Sequence, residues 1–288
     1  MKVAALQMVS CTDLATNLRD ARRLLQQAAD QGAELAVLPE YFCILGRRDT
    51  DKLALVEQPG AGPIQDFLVA CARDFGLWIA GGTMPMQAPP SAAGEPRAFN
   101  TTLVFNPSGE QVARYDKIHL FRFDDGQQQY DEARVLQRGG QPVSFELPSI
   151  DGHSWRVGLS VCYDLRFPEL YRALQSDLLL VPSAFTWLTG EAHWELLLRA
   201  RAVENLAYVL AAGQGGTHEN GRRTWGHSMV VHPWGQVLAQ HAEGPAVVIA
   251  ELLKSQLQSD RLRLPALSHR VLGGLDEASP AAAGAGLP

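Results

Sequence analysis

Short apolar runs, each stopped by a polar or turn residue, recur along this chain and alternate with segments of helical periodicity. Val3–Leu6, Leu35–Leu38 and Leu77–Gly81 read as buried strands. Between the first two, Asp13–Gln31 puts Leu14, Leu18, Ala21, Leu25 and Ala28 on one helix face. Thr12 or Asp13 can cap that helix, and Gly32 can end it. Ile64–Phe75 reads as a second helix. A β-α-β-α-β order confines such a chain to a layered α/β fold.

The second half resumes the pattern. Arg156–Val161, Leu178–Val181, Ala207–Ala212 and Val247–Leu252 read as strands, and Pro168–Gln175 and Glu191–Asn205 as helices. Two hairpins are expected, Thr101–Asn106 with Gln111–Tyr115 and Met229–His232 with Gln236–Ala239, each around a Pro- and Gly-bearing turn. No linker divides the halves, so residues 1–278 read as a single domain with two sheet layers inside and helices outside. Residues 121–142, with the glutamine run Gln127–Gln129, read as a long polar loop of the kind that carries function. The Ala-, Gly- and Pro-rich tail at 279–288 reads as disordered.

Composition narrows the function. A formal net charge of −6 gives no general electrostatic grip on nucleic acid. No apolar run reaches the roughly 18 residues that cross a bilayer. Cys11, Cys43, Cys71 and Cys162 form no C-x-x-C pair and no zinc pattern, which fits a reducing compartment. Met1–Gln7 runs straight into a strand without the features of a signal peptide, so a cytoplasmic protein is expected. With no H-E-x-x-H and no phosphate-binding glycine loop, neither metal nor organic cofactor is expected.

Three polar residues stand where strands end: Glu40 after Leu35–Leu38, Lys117 after the strand ending near Tyr115, and Cys162 after Val157–Val161. In α/β sheets the crevice outside the carboxyl ends of strands is where ligands bind. Each residue has an ordinary structural reading: a buried thiol, a salt-bridged glutamate, a solvated lysine. Each also has a chemical one. A thiol is a poor nucleophile until a base or cation favours its thiolate. Glu40, flanked by Pro39 and Tyr41, suits a general base. Lys117 suits the charge on a thiolate or a tetrahedral oxyanion. A cysteine–histidine pair on another fold is the alternative, with His119, His193 or His227 as partner.

Taken together, Leu38-Pro39-Glu40-Tyr41, Asp116-Lys117-Ile118-His119-Leu120-Phe121 and Val161-Cys162-Tyr163-Asp164-Leu165-Arg166-Phe167-Pro168-Glu169 resemble the nitrilase superfamily of carbon–nitrogen hydrolases, from about Val3 to Arg261. The resemblance implies a four-layer α-β-β-α sandwich and a Glu40–Lys117–Cys162 triad. It implies that Glu40 is the base and that Lys117 and the Tyr163 N–H stabilise the tetrahedral intermediate. The family's second glutamate matches Glu132 best, with Asp131 as its neighbour. Amide hydrolysis would pass through a Cys162 thioester, with Glu40 or Glu132 activating water and no cofactor.

Pro182–Glu195, Arg199–Glu204 and Gly226–Val231 resemble the amidase branch that acts on deaminated glutathione. Omega-amidases, acting on 2-oxoglutaramate, stand close by, and N-carbamoyl hydrolases further off. A non-catalytic binding member would lack one of the three residues, and all are present. Both favoured substrates carry carboxylates, so a further cation is expected: Arg166 by position, with Arg122, Arg222 and Arg223 as others. Ser183, Phe185 and Thr186 follow the strand Leu178–Val181 and are expected to line the pocket, although Phe185 can equally be core. The family resemblance also implies a homodimer or higher homo-oligomer; the apolar faces near Pro168–Leu174 and Glu191–Val203 can serve that pairing or equally pack only on the sheet.

Overall fold

The computed structural model describes residues 1–271 except 125, 127 and 128. The tail at 279–288, Gln127 and Gln128 lie outside the described residues. The first half runs β1 (Lys2–Gln7), α1 (Leu14–Asp30), β2 (Leu35–Val37), α2 (Pro63–Phe75), β3 (Trp78–Ala80), β4 (Met84–Gln87), β5 (Ala98–Phe105) and β6 (Gln111–Asp116). Three short strands follow, β7 (Arg122–Asp124), β8 (Gln129–Asp131) and β9 (Leu136–Gln137). Then come β10 (Ser144–Pro148), β11 (Ser154–Leu159), α3 (Pro168–Leu174), β12 (Leu178–Ser183), α4 (Trp187–Asn205) and β13 (Tyr208–Gly213). The remainder is β14 (Gly215–Thr217), β15 (Arg223–Trp225), β16 (Ser228–Val231), β17 (Val237–His241), β18 (Ala246–Glu251) and α5 (Lys254–Arg263).

Two sheets form the centre. One has the order β18-β1-β2-β3-β5-β4, with β6 and β9 also on β5. The other has the order β10-β11-β12-β13-β16-β17. In the first, β1, β2 and β3 are parallel; in the second, β11, β12 and β13 are. The last strand, β18, pairs antiparallel with the first, Lys2 opposite Glu251.

Strand alternation builds the layers. On β1, Val3 and Ala5 pack between the sheets with Val157, Leu159, Val209 and Val230. Ala4 and Leu6 point the other way, into a core shared with Leu24, Leu25 and Ala28 of α1 and Leu68 and Cys71 of α2. With both faces covered, the strand reads as a continuous apolar run instead of an alternating one. Burying each of these valine and leucine side chains contributes about 1.5–3 kcal/mol. α3 and α4 cover the outer face of the second sheet. The architecture is the expected four-layer α-β-β-α sandwich.

Local chemistry sets the element ends. Asp13 caps α1 by accepting from Thr16 N at 2.8 Å, and Gly76 ends α2 in the left-handed region at φ 63°. Asn17 sits among the buried residues of α1, where its amide serves Cys11 O and Cys43 O, both at 2.9 Å.

Several segments differ from expectation. Residues 121–142 are not a plain loop: β7 pairs with β8, and a 3-10 turn at Glu132–Arg134 leads to β9. These strands are too short and polar to show a period. α4 begins at Trp187, not Glu191, because Thr186 caps it and Gly190 lies inside it against Trp225. β4 and β10 each lie at a sheet end and were not anticipated. Nor was α5, which buries only Leu257 and Asp260 and so shows no apolar stripe. Among the described residues, no helix is long and apolar enough to cross a membrane.

Candidate active site

Parallel strands β2, β11 and β12 end on one side of the sandwich, and the chain carries Glu40, Cys162 and Ala184 just beyond those ends. Antiparallel β6 brings Lys117 to the same place, held by Lys117 N donating to Asn100 O at 2.9 Å. Behind Lys117, Gly139 N donates to Lys117 O. A Cβ on Gly139 would lie 2.0 Å from Asp116 O, so only glycine lets these backbones meet.

Lys117 is fully buried, and its ammonium joins two carboxylates. Nζ lies 2.9 Å from Glu40 Oε1, and 3.1 and 2.9 Å from the two oxygens of Glu132. Glu40 also accepts the Asn100 amide on Oε1 at 2.8 Å and the Ala184 N–H on Oε2 at 2.9 Å. Glu132 accepts the Tyr41 hydroxyl at 2.7 Å and the Phe121 N–H at 2.7 Å. Asp131 instead caps the 3-10 turn through Ala133 N and faces away from this cluster.

Burial works to strip the proton from Lys117, but Glu132 and then Glu40 outweigh it and hold the ammonium well above its ordinary value. Burial works to protonate Glu132, but Lys117 and the Phe121 N–H outweigh it and hold the carboxyl below its ordinary value. The cluster therefore rests as a buried cation between carboxylates. Such an arrangement is tolerable only because nearly every charged atom has a donor or acceptor.

Cys162 starts a 3-10 turn, Cys162–Arg166, with φ 50°. A non-glycine residue in that region is uncommon and marks a strained, over-determined backbone. Asp164 does the determining. It is fully buried and accepts from Val161 N at 2.8 Å, the Tyr115 hydroxyl at 2.7 Å and His119 N at 3.0 Å. One carboxylate thereby ties the cysteine turn to the segment that carries Lys117. Burial, and then the charge of Glu40, push the Cys162 thiol well above its ordinary value, against the pull of Lys117. The three candidate histidines have partners elsewhere: His119 with Asp164, His193 with Arg166, and His227 with Trp225 O.

A cavity opens over these groups, lined by Glu40, Tyr41, Glu132 and Cys162. Tyr163, Arg166, Phe185 and Thr186 line it as well. Arg166 holds its guanidinium 5.9 Å from the Tyr163 and Phe185 rings. Phe185 is both wall and core, its ring tilted against Trp194 with centroids 4.8 Å apart. Thr186 is also the cap of α4, so that helix presents its N-terminus to the cavity. Ser183 is the exception: it is buried off the cavity, and its hydroxyl turns back to Val181 O.

Of the other arginines, Arg222 lines the cavity, whereas Arg122 and Arg223 are exposed and do not. Sequence reading missed Asn100, Tyr41, Phe121, Thr189 and the Ala184 N–H. Asn100-Thr101-Thr102 reads only as a glycosylation sequon, but all three are buried. Among the described residues, no group of three or more His, Cys, Asp or Glu side chains is placed to hold a metal ion.

The profile of the carbon–nitrogen hydrolase family matches residues 2–262. A Synechocystis protein named deaminated glutathione amidase is 42% identical over 275 residues, which cover 93% of this chain and 97% of that one. A solved structure from Saccharomyces cerevisiae, described as a member of branch 10 of the nitrilase superfamily, superposes with a TM-score of 0.79 at 29% identity. The match covers 92% of this chain and 94% of that one. An amidase from Nesterenkonia sp. AN1, bearing acrylamide at its active-site cysteine, superposes with a TM-score of 0.72 at 28% identity, over 92% and 98% of the two chains.

Proposed function

The chain belongs to the carbon–nitrogen hydrolase family and is an amide-hydrolysing enzyme, and on that premise we propose that it cleaves deaminated glutathione to 2-oxoglutarate and cysteinylglycine through a thioester on Cys162. The observation that carries the reading is one lysine held between two glutamates beside a buried thiol on a strained turn.

Charge balance supports Glu40 as the base. Two carboxylates and one ammonium leave one net negative charge in the cluster. Losing the thiol proton to solvent would bury a second negative charge, which is costly. Passing that proton to Glu40 keeps the total unchanged. The thiolate then attacks the amide carbonyl, and a tetrahedral oxyanion forms within reach of Lys117 and the Tyr163 N–H. Glu40 returns the proton to the departing amine, and the acyl group stays on Cys162. Water, deprotonated by Glu40 or Glu132, adds to the thioester, and release of 2-oxoglutarate restores the thiol.

The lining suits an acyl group that ends in a carboxylate. Arg166, Arg222 and the α4 N-terminus all favour negative charge in the cavity. The name of the Synechocystis relative supports this substrate. Four unpaired cysteines among the described residues fit a cytoplasmic setting. α4 exposes Leu196 and Val203 seven residues apart, a face suited to pairing with a second copy, whereas Leu170, Tyr171 and Leu174 of α3 are buried within the chain. Light scattering tests the pairing: a dimer is expected, and a monomer at micromolar concentration would refute it.

Release of 2-oxoglutarate from deaminated glutathione and from 2-oxoglutaramate, compared side by side, tests the substrate. A strong preference for deaminated glutathione is expected. Preference for 2-oxoglutaramate would make the protein an omega-amidase, and release from neither would refute both substrates.

A further inference from the structure

A second, roomier cavity adjoins the first and shares Tyr41 and Arg222 with it. The hydrolysis derived above makes no use of it. Its charged lining is Arg47, Arg48, Lys52 and Arg222 against the single carboxylate of Asp49. The cations differ in how far they are already engaged. Arg48 lies 3.4 Å from Asp51, and Arg222 gives one nitrogen to Ala184 O at 3.1 Å while its buried Nε has no partner. Lys52 sits 4.4 Å over the face of the Tyr41 ring. Among the described residues it makes no hydrogen bond or ion pair. Burial, only partly offset by the charge of Glu132, holds its ammonium below the ordinary value.

A half-buried ammonium whose anions act only from a distance, with none in direct contact, is costly to keep. The site that would relieve it adjoins the reaction centre across Tyr41 and Arg222. When the amide is cleaved, the acyl half stays on Cys162 in the inner cavity, and the amine half must leave outward. We propose that this outer cavity is the subsite for a carboxylate carried by the departing amine, with Lys52 as its principal partner and Arg47 and Arg222 beside it. The proposal rests on the amide-hydrolase reading of the inner site, and it gives that site a substrate class: amides whose amine half is itself an acid, as in a dipeptide. A primary amide, which releases only ammonia, would leave the outer cavity unused.

The test measures binding instead of turnover, so it stands apart from the choice of acyl group. Cysteinylglycine and its C-terminal amide, nearly equal in size and differing in the carboxylate, are titrated by ligand-observed NMR against the intact protein. Lys52→Met keeps the aliphatic stem over Tyr41 and removes the charge, and Lys52→Arg keeps the charge. The acid is expected to bind about fivefold to tenfold more tightly than the amide, the scale of one charge-assisted contact. Lys52→Met should abolish that preference and Lys52→Arg should retain it. Equal affinities, binding of neither, or a preference that survives Lys52→Met would overturn the proposal. A protein that shows the expected preference yet releases no 2-oxoglutarate would keep this subsite and lose the assigned substrate.

Discussion

Asn100 donates its side-chain amide to Glu40 at 2.8 Å, on the same oxygen that receives the ammonium of Lys117. The amide is neutral, so it fixes the carboxylate without adding a charge that would compete for the thiol proton. Ala184 N–H holds the other oxygen. Glu40 is therefore oriented from both sides before any substrate arrives.

Replacing Asn100 with Ala removes one of these restraints. A hydrogen bond to a charged group contributes about 1.5–3 kcal/mol. The expected result is a fall in kcat/KM of roughly 10- to 100-fold, with the circular-dichroism spectrum unchanged. Full activity in Asn100→Ala would show that Lys117 and Ala184 orient Glu40 alone.

Asp164 should matter first to stability. It is buried and accepts from Val161 N, Tyr115 and His119 N, so Asp164→Ala leaves several donors without partners. Loss of about 3 kcal/mol is expected in urea unfolding. Full stability would mean that the positive-φ turn at Cys162 holds itself.

These two residues show where sequence reading stopped. Glu40, Lys117 and Cys162 were legible because each follows a strand and falls in a motif. Asn100 lies inside β5 in the polar run Asn100-Thr101-Thr102, and residue type alone says nothing of its partner. The Ala184 N–H is backbone and leaves no trace in residue identity. Arg166 was singled out by its position, but Arg222 could not be told from Arg122 and Arg223, because that distinction depends on which way a turn faces. The sandwich itself was legible in the apolar runs, since strands covered on both faces carry a strong signal. The β7–β8 hairpin and α5 were not, because neither has a consistent apolar face.

The buried thiols predict a loss of stability in alkali. Burial raises Cys43 from its ordinary value of 9.0 to about 12, and Cys71 to about 11. In the unfolded chain both ionise near the ordinary value, while in the folded chain they stay neutral. The stabilisation is complete below about pH 9 and is lost as pH rises toward 11 and 12. At pH 10, Cys43 alone should cost about 1 kcal/mol. Urea unfolding at pH 8 and pH 10 checks this: Cys43→Ala should lose less stability across the interval than the natural sequence. An equal loss would place the alkaline sensitivity elsewhere.

The thioester mechanism requires Cys162 as the nucleophile, and hydrolysis of deaminated glutathione by purified Cys162→Ala tests it most directly. With the fold verified by circular dichroism, 2-oxoglutarate release should fall by at least about 10⁴-fold relative to the natural sequence. Release within tenfold of the natural sequence would contradict the thioester mechanism.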